Sequence, residues 1–238
     1  MTLRCGPPTS KESAVLPIWD WTLILLLPAF ALSLYAQIKV KSTFARYSKV
    51  PSGRGLTGAR RLLDAGGLSH VPVELTQGQL SDHYDPRGKV LRLSADVANR
   101  DSLAALGVAA HEVGHALQDA DSYAPMRARS LLVRPASLGS NLGIILFIVG
   151  LFIGRNPMLM NLGILLFSAA VLFTLVTLPV EFNASRRALA LLTSQGILVS
   201  SEVDGARKVL SAAGLTYVAA ALMAIAQLAR LLLISRSR

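Results

Sequence analysis

The sequence predicts a mostly α-helical integral membrane protein of about four transmembrane helices, with a small α+β insert between the first and second. Three observations point there. The 238-residue chain is 52% hydrophobic, with a mean hydropathy of +0.48, which is too apolar for a soluble domain of this length. Its apolar residues gather into long blocks at residues 19–40, 135–154, 158–180 and 215–234. Each is long enough, or nearly so, to cross a hydrocarbon core of about 30 Å as a helix. Residues 41–134, by contrast, are of mixed polarity and numerous enough to build a modest core of their own.

Residues 1–18, with Pro7, Pro8, Thr9 and Ser10, read as an irregular tail. The block at 19–40 reads as a retained anchor, because no compact basic region precedes it and the run is long for a secretory signal, which is the alternative. The insert reads as helix, hairpin, helix. Thr57 is placed to cap a helix running to Asp64, which Gly66 and Gly67 stop. Val71, Val73 and Leu75 alternate with Pro72, Glu74 and Thr76, the period of a half-buried strand. Asp85-Pro86-Arg87-Gly88 suits a type I turn, and alternation resumes from Lys89 to Ser94, so a hairpin is expected. Asp101 or Ser102 then caps a second helix that continues to about Asp119.

The blocks at 135–154 and 158–180 are joined only by Arg155, Asn156 and Pro157, so residues 135–180 form a tight helical hairpin. Gly139, Gly143 and Gly150 suit close helix packing within it. Residues 181–214 read as a helical segment, and residues 215–238 as a last span and tail. That span carries Gln227 and Arg230, so an amphipathic helix lying on the membrane is its alternative.

The formal charge is +10. Lys39, Lys41, Arg46 and Lys49 follow the first block, Arg127, Arg129 and Arg134 precede the second, and Arg186 and Arg187 follow the third. With four alternating spans these flanks share one side, and the positive-inside rule makes that side cytoplasmic. Arg4, Lys11, Arg155, Arg236 and Arg238 fall on the other. Nucleic-acid binding is excluded as the better reading, since the basic residues hug span ends without interleaved aromatics. Cys5 is the single cysteine, so neither an intramolecular disulfide nor a thiolate cluster can be built.

Within the second helix of the insert stands His111-Glu112-Val113-Gly114-His115, an H-E-x-x-H motif. Imidazoles four residues apart share one helical face and can hold a single zinc ion. Glu112 is placed to take a proton from a water that the metal has made acidic. The flanking Val108, Ala109, Ala110, Ala116 and Leu117 would bury the helix, where imidazoles need partners, although a structural histidine pair is the bland alternative.

A catalytic zinc needs a third protein ligand. Asp121 lies at a metzincin-like spacing, but Gln118 occupies the place of the glycine that would turn the chain back. Glu181, at the end of an apolar block, is expensive there unless it is paired or coordinates something. Arg186, Arg187 or solvent could equally be its partner. His83 and Tyr84 could reach the site as oxyanion donors, or with Asp82 could simply fix the turn. An edge strand beside the motif helix would pair with a bound peptide, and Lys89–Ser94 or Val71–Thr76 is the candidate. Tyr217 and His70 have no motif behind them.

Taken together, His111–His115, Glu181–Ser185, Asp82-His83-Tyr84-Asp85-Pro86-Arg87 with Lys89–Ser94, and Tyr35–Val40 resemble the YugP-type neutral zinc metallopeptidases of bacterial membranes. More distantly, the arrangement is similar to the membrane gluzincins of the HtpX type. The resemblance implies a zincin-like cytoplasmic insert, one catalytic Zn2+ held by His111, His115 and Glu181, and Glu112 as general base. It also implies a multi-pass protein of the bacterial inner membrane, acting on a peptide or membrane-protein substrate with the lipid bilayer as its setting. In the more distant gluzincins an aspartate four residues after the glutamate supports a zinc histidine. Ser185 stands in that place here, so Asn183 or another carboxylate is the expected substitute. The expectation is a zinc endopeptidase, and its rivals are a noncatalytic scaffold retaining a structural zinc and a small transporter. Against the transporter, Ser137, Ser140, Asn141 and Asn161 are few and uncharged. No residue pattern specifies a partner subunit or an oligomeric state.

Overall fold

The computed structural model describes residues 21–52, 55–78 and 81–237. The tail over residues 1–18, Cys5 and the Thr57 side chain lie outside the described residues. A short 3-10 turn, Trp21–Leu26, runs into α1, Leu27–Tyr47. There follow α2 (Gly55–Ala65), β1 (Val73–Thr76), β2 (His83–Asp85), β3 (Val90–Ser94), α3 (Ala95–Asn99) and α4 (Leu103–Ala120). Three long helices complete the described chain: α5 (Ala124–Phe152), α6 (Pro157–Ser194) and α7 (Ser200–Arg236).

Four helical stretches are long and apolar enough to cross a membrane: Trp21–Tyr47, Ala124–Phe152, Pro157–Ser194 and Ser201–Arg236. Trp21 and Ile24 on the 3-10 turn and Phe30, Leu34 and Ile38 on α1 leave this stretch with exposed apolar side chains, which suit lipid better than water. The helices overrun the apolar blocks. α5 begins at Ala124 and carries Pro135 inside it, whereas the sequence marks Pro135 as a start. The basic turns ahead of Pro135 are good helix formers, so the helix tolerates one missing donor. α6 continues through Pro179 to Ser194 and so places Glu181 within an unbroken helix.

The α5–α6 hairpin forms as its sequence dictates. Gly154 and Arg155 adopt positive φ, and the Asn156 side chain caps α6 by accepting from the N–H groups of Met158 and Leu159. Gly143 and Gly163 face each other across it; a Cβ on Gly143 would stand 2.8 Å from the Gly163 carbonyl oxygen, so only glycine permits this approach.

The three-stranded sheet has the order β1-β3-β2. β2 and β3 form the expected antiparallel hairpin, with Tyr84 opposite Leu91, while β1 runs parallel to β3, with Val73 opposite Leu91. β3 is therefore the central strand, and the edges belong to β1 and β2. Leu75 is 63% exposed although the alternation points it inward, because an edge strand has a neighbour on one side only. Arg92 on β3 ties both edges together, its Nη1 donating to Asp85 Oδ2 at 2.9 Å and its Nε to Glu74 Oε2 at 3.1 Å. Leu62, Leu63, Leu91, Leu93, Val113, Val180 and Leu192 are fully buried in one core that joins α2, the sheet, α4 and α6. That core holds α4 against the end of the spanning helices.

Candidate metal centre

α4 starts where Ser102 caps it, the hydroxyl accepting from the N–H of Ala105 at 3.2 Å. Asp101, the other expected cap, accepts instead from the backbone N–H and hydroxyl of Ser52, each at 2.8 Å. His111 and His115 share one face of α4, their rings 4.7 Å apart edge to face. That face meets α6. Glu181, 70 residues beyond His111, presents Oε2 at 3.0 Å from His111 Nε2 and 3.6 Å from His115 Nε2. One ligand atom from each of the three lies within 4.8 Å of the others.

The close approach depends on Gly114, inside the motif. A Cβ there would run into the carbonyl oxygen of Ala184 and stand 3.0 Å from its carbonyl carbon. Ala184 follows Glu181 by about one turn of α6, so a side chain at 114 would push the carboxylate away from the imidazoles.

Side chains behind the histidines fix their ring orientation. The Gln118 amide donates to the Val180 carbonyl at 2.8 Å and to Asn183 Oδ1 at 3.0 Å. Both partners are acceptors, and Asn183 Oδ1 also accepts from Arg187 Nε at 2.8 Å. The amide nitrogen is thereby committed, so Gln118 Oε1 faces His115 Nδ1 at 3.0 Å and accepts its proton. The lone pair of His115 is left on Nε2, the nitrogen that faces Glu181. Ser185 Oγ lies 3.1 Å from His111 Nδ1 and can play the same part there.

Glu181 is 2% exposed, and its Oε1 is buried without a hydrogen-bond partner. Arg129 Nη1 stands 3.3 Å from that oxygen and supplies charge without hydrogen-bond geometry. A buried carboxylate oxygen left without a hydrogen bond, beside two inward imidazole nitrogens, fits a zinc ion in nitrogen and oxygen ligation. Burial works against a charged His115, but the Glu181 and Glu112 carboxylates outweigh it and hold its pKa above the ordinary histidine value.

Glu112 faces the other way, toward β2. Its Oε2 accepts the backbone N–H of Tyr84 at 3.0 Å. It shares a cavity of about 260 Å³ with His115, Glu181, Arg129, His83 and Tyr217. The Tyr84 phenol is occupied elsewhere, donating to Asp119 Oδ2 at 2.8 Å; burial and that carboxylate push its pKa well above the usual tyrosine range. His83 is exposed and bonds locally, its Nδ1 2.7 Å from the Ser81 carbonyl, and Asp82 Oδ1 accepts the Ser94 N–H at 2.7 Å. These contacts fit the turn-fixing reading of the three residues. Asp121 caps α4 and pairs with Arg187, apart from the histidines. His70 is exposed and stands outside the group. Tyr217 on α7, Gln118 on α4 and Arg129 on α5 are residues at the site that the sequence leaves without a part in it. Gln118 had one legible signal, its place one turn past His115 on the same face.

The described structure thus combines four apolar helices long enough to span a membrane with a His, His, Glu group that could hold a metal ion. The chain belongs to the family described as "Putative neutral zinc metallopeptidase", whose pattern matches residues 22–236. It is similar to the "Putative membrane protease YugP" of Bacillus subtilis (strain 168), with 49% identity over 215 residues, covering 89% of this chain and 95% of that protein. No solved structure matches.

Proposed function

We propose that the protein is an integral-membrane zinc endopeptidase that cleaves peptide bonds near the cytoplasmic membrane face. In this reading the insert around α4 is zincin-like, His111, His115 and Glu181 hold one zinc ion, and Glu112 is the general base. The strongest support is the meeting of two α4 imidazoles with a buried α6 carboxylate that has an oxygen left without a hydrogen bond. Bound zinc supplies Lewis acidity, which polarises a carbonyl and lowers the pKa of water.

Glu112 carries the proton. The Tyr84 N–H holds one carboxylate oxygen and leaves the other to accept a proton from attacking water and pass it to the leaving amine. Gln118 and Ser185 keep the histidine Nε2 lone pairs turned inward. β2 flanks the same cavity as an edge strand, and in this reading a substrate backbone lies along it, in place of the strands at Val71–Thr76 and Lys89–Ser94 that the sequence offered. Tyr217, which lines the cavity, is in this reading the donor for the developing oxyanion. The cytoplasmic setting draws on the basic residues that flank the apolar stretches of α1, α5 and α6 at the end of the bundle where α4 packs.

Zinc content and cleavage of unfolded casein by the detergent-purified chain test this. Wild type should carry near-stoichiometric zinc and cleave, Glu181→Ala should lose both, and Glu112→Gln should keep zinc with turnover down about 10²–10⁴-fold. Undiminished cleavage by Glu112→Gln would overturn the mechanism. Zinc in wild type with no cleavage, together with intact cellular function of Glu112→Gln, would favour the scaffold.

A further inference from the structure

α1 and α7 lie side by side and antiparallel. At one end Arg230 Nε donates to Thr22 Oγ1 at 3.2 Å; at the other the Tyr47 ring covers Gly205. Just past their apolar stretches the two helices open into a cleft of about 560 Å³, lined by Lys39, Arg46, Arg207 and Lys208 with the hydroxyls of Ser42 and Thr43. No carboxylate lines it among the described residues. Among the described residues none of these four cations is in an ion pair, which Lys41, Lys49 and Arg127 share; what sets the four apart is that two helices gather them into one concavity. Cations drawn from two helices into one concavity repel one another unless an anion joins them.

The cleft also has an apolar side. Ala212 and Leu215 line it, and the Arg46 guanidinium lies 5.6 Å from the centre of the Tyr47 ring. Leu34 and Ile38, about two turns and one turn before Ser42 on α1, are exposed. The cleft therefore sits where α1 and α7 leave the hydrocarbon, with cations above and apolar side chains below. An anionic amphiphile satisfies both parts, while a free phosphate would leave the apolar part uncovered.

We propose that this cleft binds an anionic phospholipid, its phosphate held by Lys39, Arg46, Arg207 and Lys208 and its chains lying along Leu34, Ile38 and Leu215. The opposite face of α7, at Ala206 and Val209, packs on Gly107 of α4, so the lipid braces α7 from outside while α4 bears on it from within. This assignment stands independently of peptide cleavage.

The test uses the full chain, delipidated in detergent, with bound lipid counted by native mass spectrometry. The probes are dioleoyl phosphatidylglycerol, dioleoyl phosphatidylcholine and inorganic phosphate. The expected result is one saturable phosphatidylglycerol per chain, bound at least roughly tenfold tighter than phosphatidylcholine and not displaced by phosphate. Arg46→Gln/Arg207→Gln/Lys208→Gln should weaken it at least roughly tenfold. Lys41→Gln/Lys49→Gln/Arg127→Gln, which removes equal charge from exposed residues outside the cleft, should not. All three cleft positions are exposed, and Arg207→Gln alone, expected to weaken binding in the same direction, serves if the triple variant misfolds. Equal binding of the two lipids, equal weakening by the two triple variants, or undiminished binding by Arg207→Gln in a folded chain would overturn the proposal. Displacement by phosphate would assign the cleft to a soluble phosphate instead, and would overturn it as well.

Discussion

Gly114→Ala adds one methyl group to the protein, at the point where α4 and α6 touch. Its Cβ would stand 3.0 Å from the Ala184 carbonyl carbon and closer still to the oxygen, whereas ordinary contact begins at 3.4 Å. Both neighbours are backbone, so neither can rotate away, and the helices must part by roughly 0.5–1 Å. Overpacking of this kind costs about 1–3 kcal/mol of stability. The effect on the metal should be larger in proportion, because zinc–ligand distances tolerate only about ±0.2 Å. Zinc affinity should therefore fall at least roughly tenfold, equivalent to about 1.4 kcal/mol. Gly107→Ala is the control on the same helix, since its Cβ would meet nothing nearer than 3.9 Å. Zinc retention across a chelator series, with thermal unfolding alongside, compares the two. Wild-type zinc affinity in folded Gly114→Ala would refute the claim that this contact sets the ligand spacing.

Gln118→Leu should weaken zinc binding about 10–100-fold by freeing the His115 ring, and chelator competition reads it; an unchanged affinity would remove Gln118 from any positioning part. Tyr217→Phe should keep zinc and lower the turnover number by roughly ten- to a hundredfold or more, with little change in KM. Arg92, with backbone N–H groups behind it, holds the Asp85 carboxyl below its usual pKa. The folded value lies below the unfolded one, so the pair stabilises the protein above the ordinary carboxylate range, and that stability is lost as pH falls through the folded value. Arg92→Leu should accordingly move acid unfolding, followed by circular dichroism, to higher pH.

The elements were legible wherever local chemistry decided them. Asp85–Gly88 announces its turn, Asn156 and Pro157 announce the start of α6, and four apolar blocks announce the spanning helices. His111 and His115 share a face through helical spacing alone, and Glu181 stood out because a carboxylate at the end of an apolar run needs a partner. What stayed hidden depends on two distant segments meeting. Gly114 is an unremarked position in the motif until α6 is laid against it. Gln118 is a missing glycine in one pattern, and becomes a histidine's anchor only once Val180 and Asn183 are beside it. The strand order was equally closed to inspection, because alternation in 71–76 and 89–94 is the same for a central strand and an edge.

α6 carries both an apolar stretch able to span a membrane and the carboxylate of the candidate metal group, which would make it a lever. Its 38 residues extend about 57 Å, well beyond the roughly 30 Å of a hydrocarbon core, so it must project or tilt. Pro179 sits two residues before Glu181 and deprives the Leu175 carbonyl of its helical donor, so the otherwise unbroken helix has one weakened joint there. Under the proposed function, a change in tilt in a thinner or thicker bilayer would bear there on the distance between the carboxylate and the imidazoles. Zinc retention in vesicles of short- and long-chain phosphatidylcholine would vary with chain length if the joint transmits tilt, and would stay constant if it absorbs it. With transmission, the thickness of the surrounding membrane becomes a setting of the metal centre.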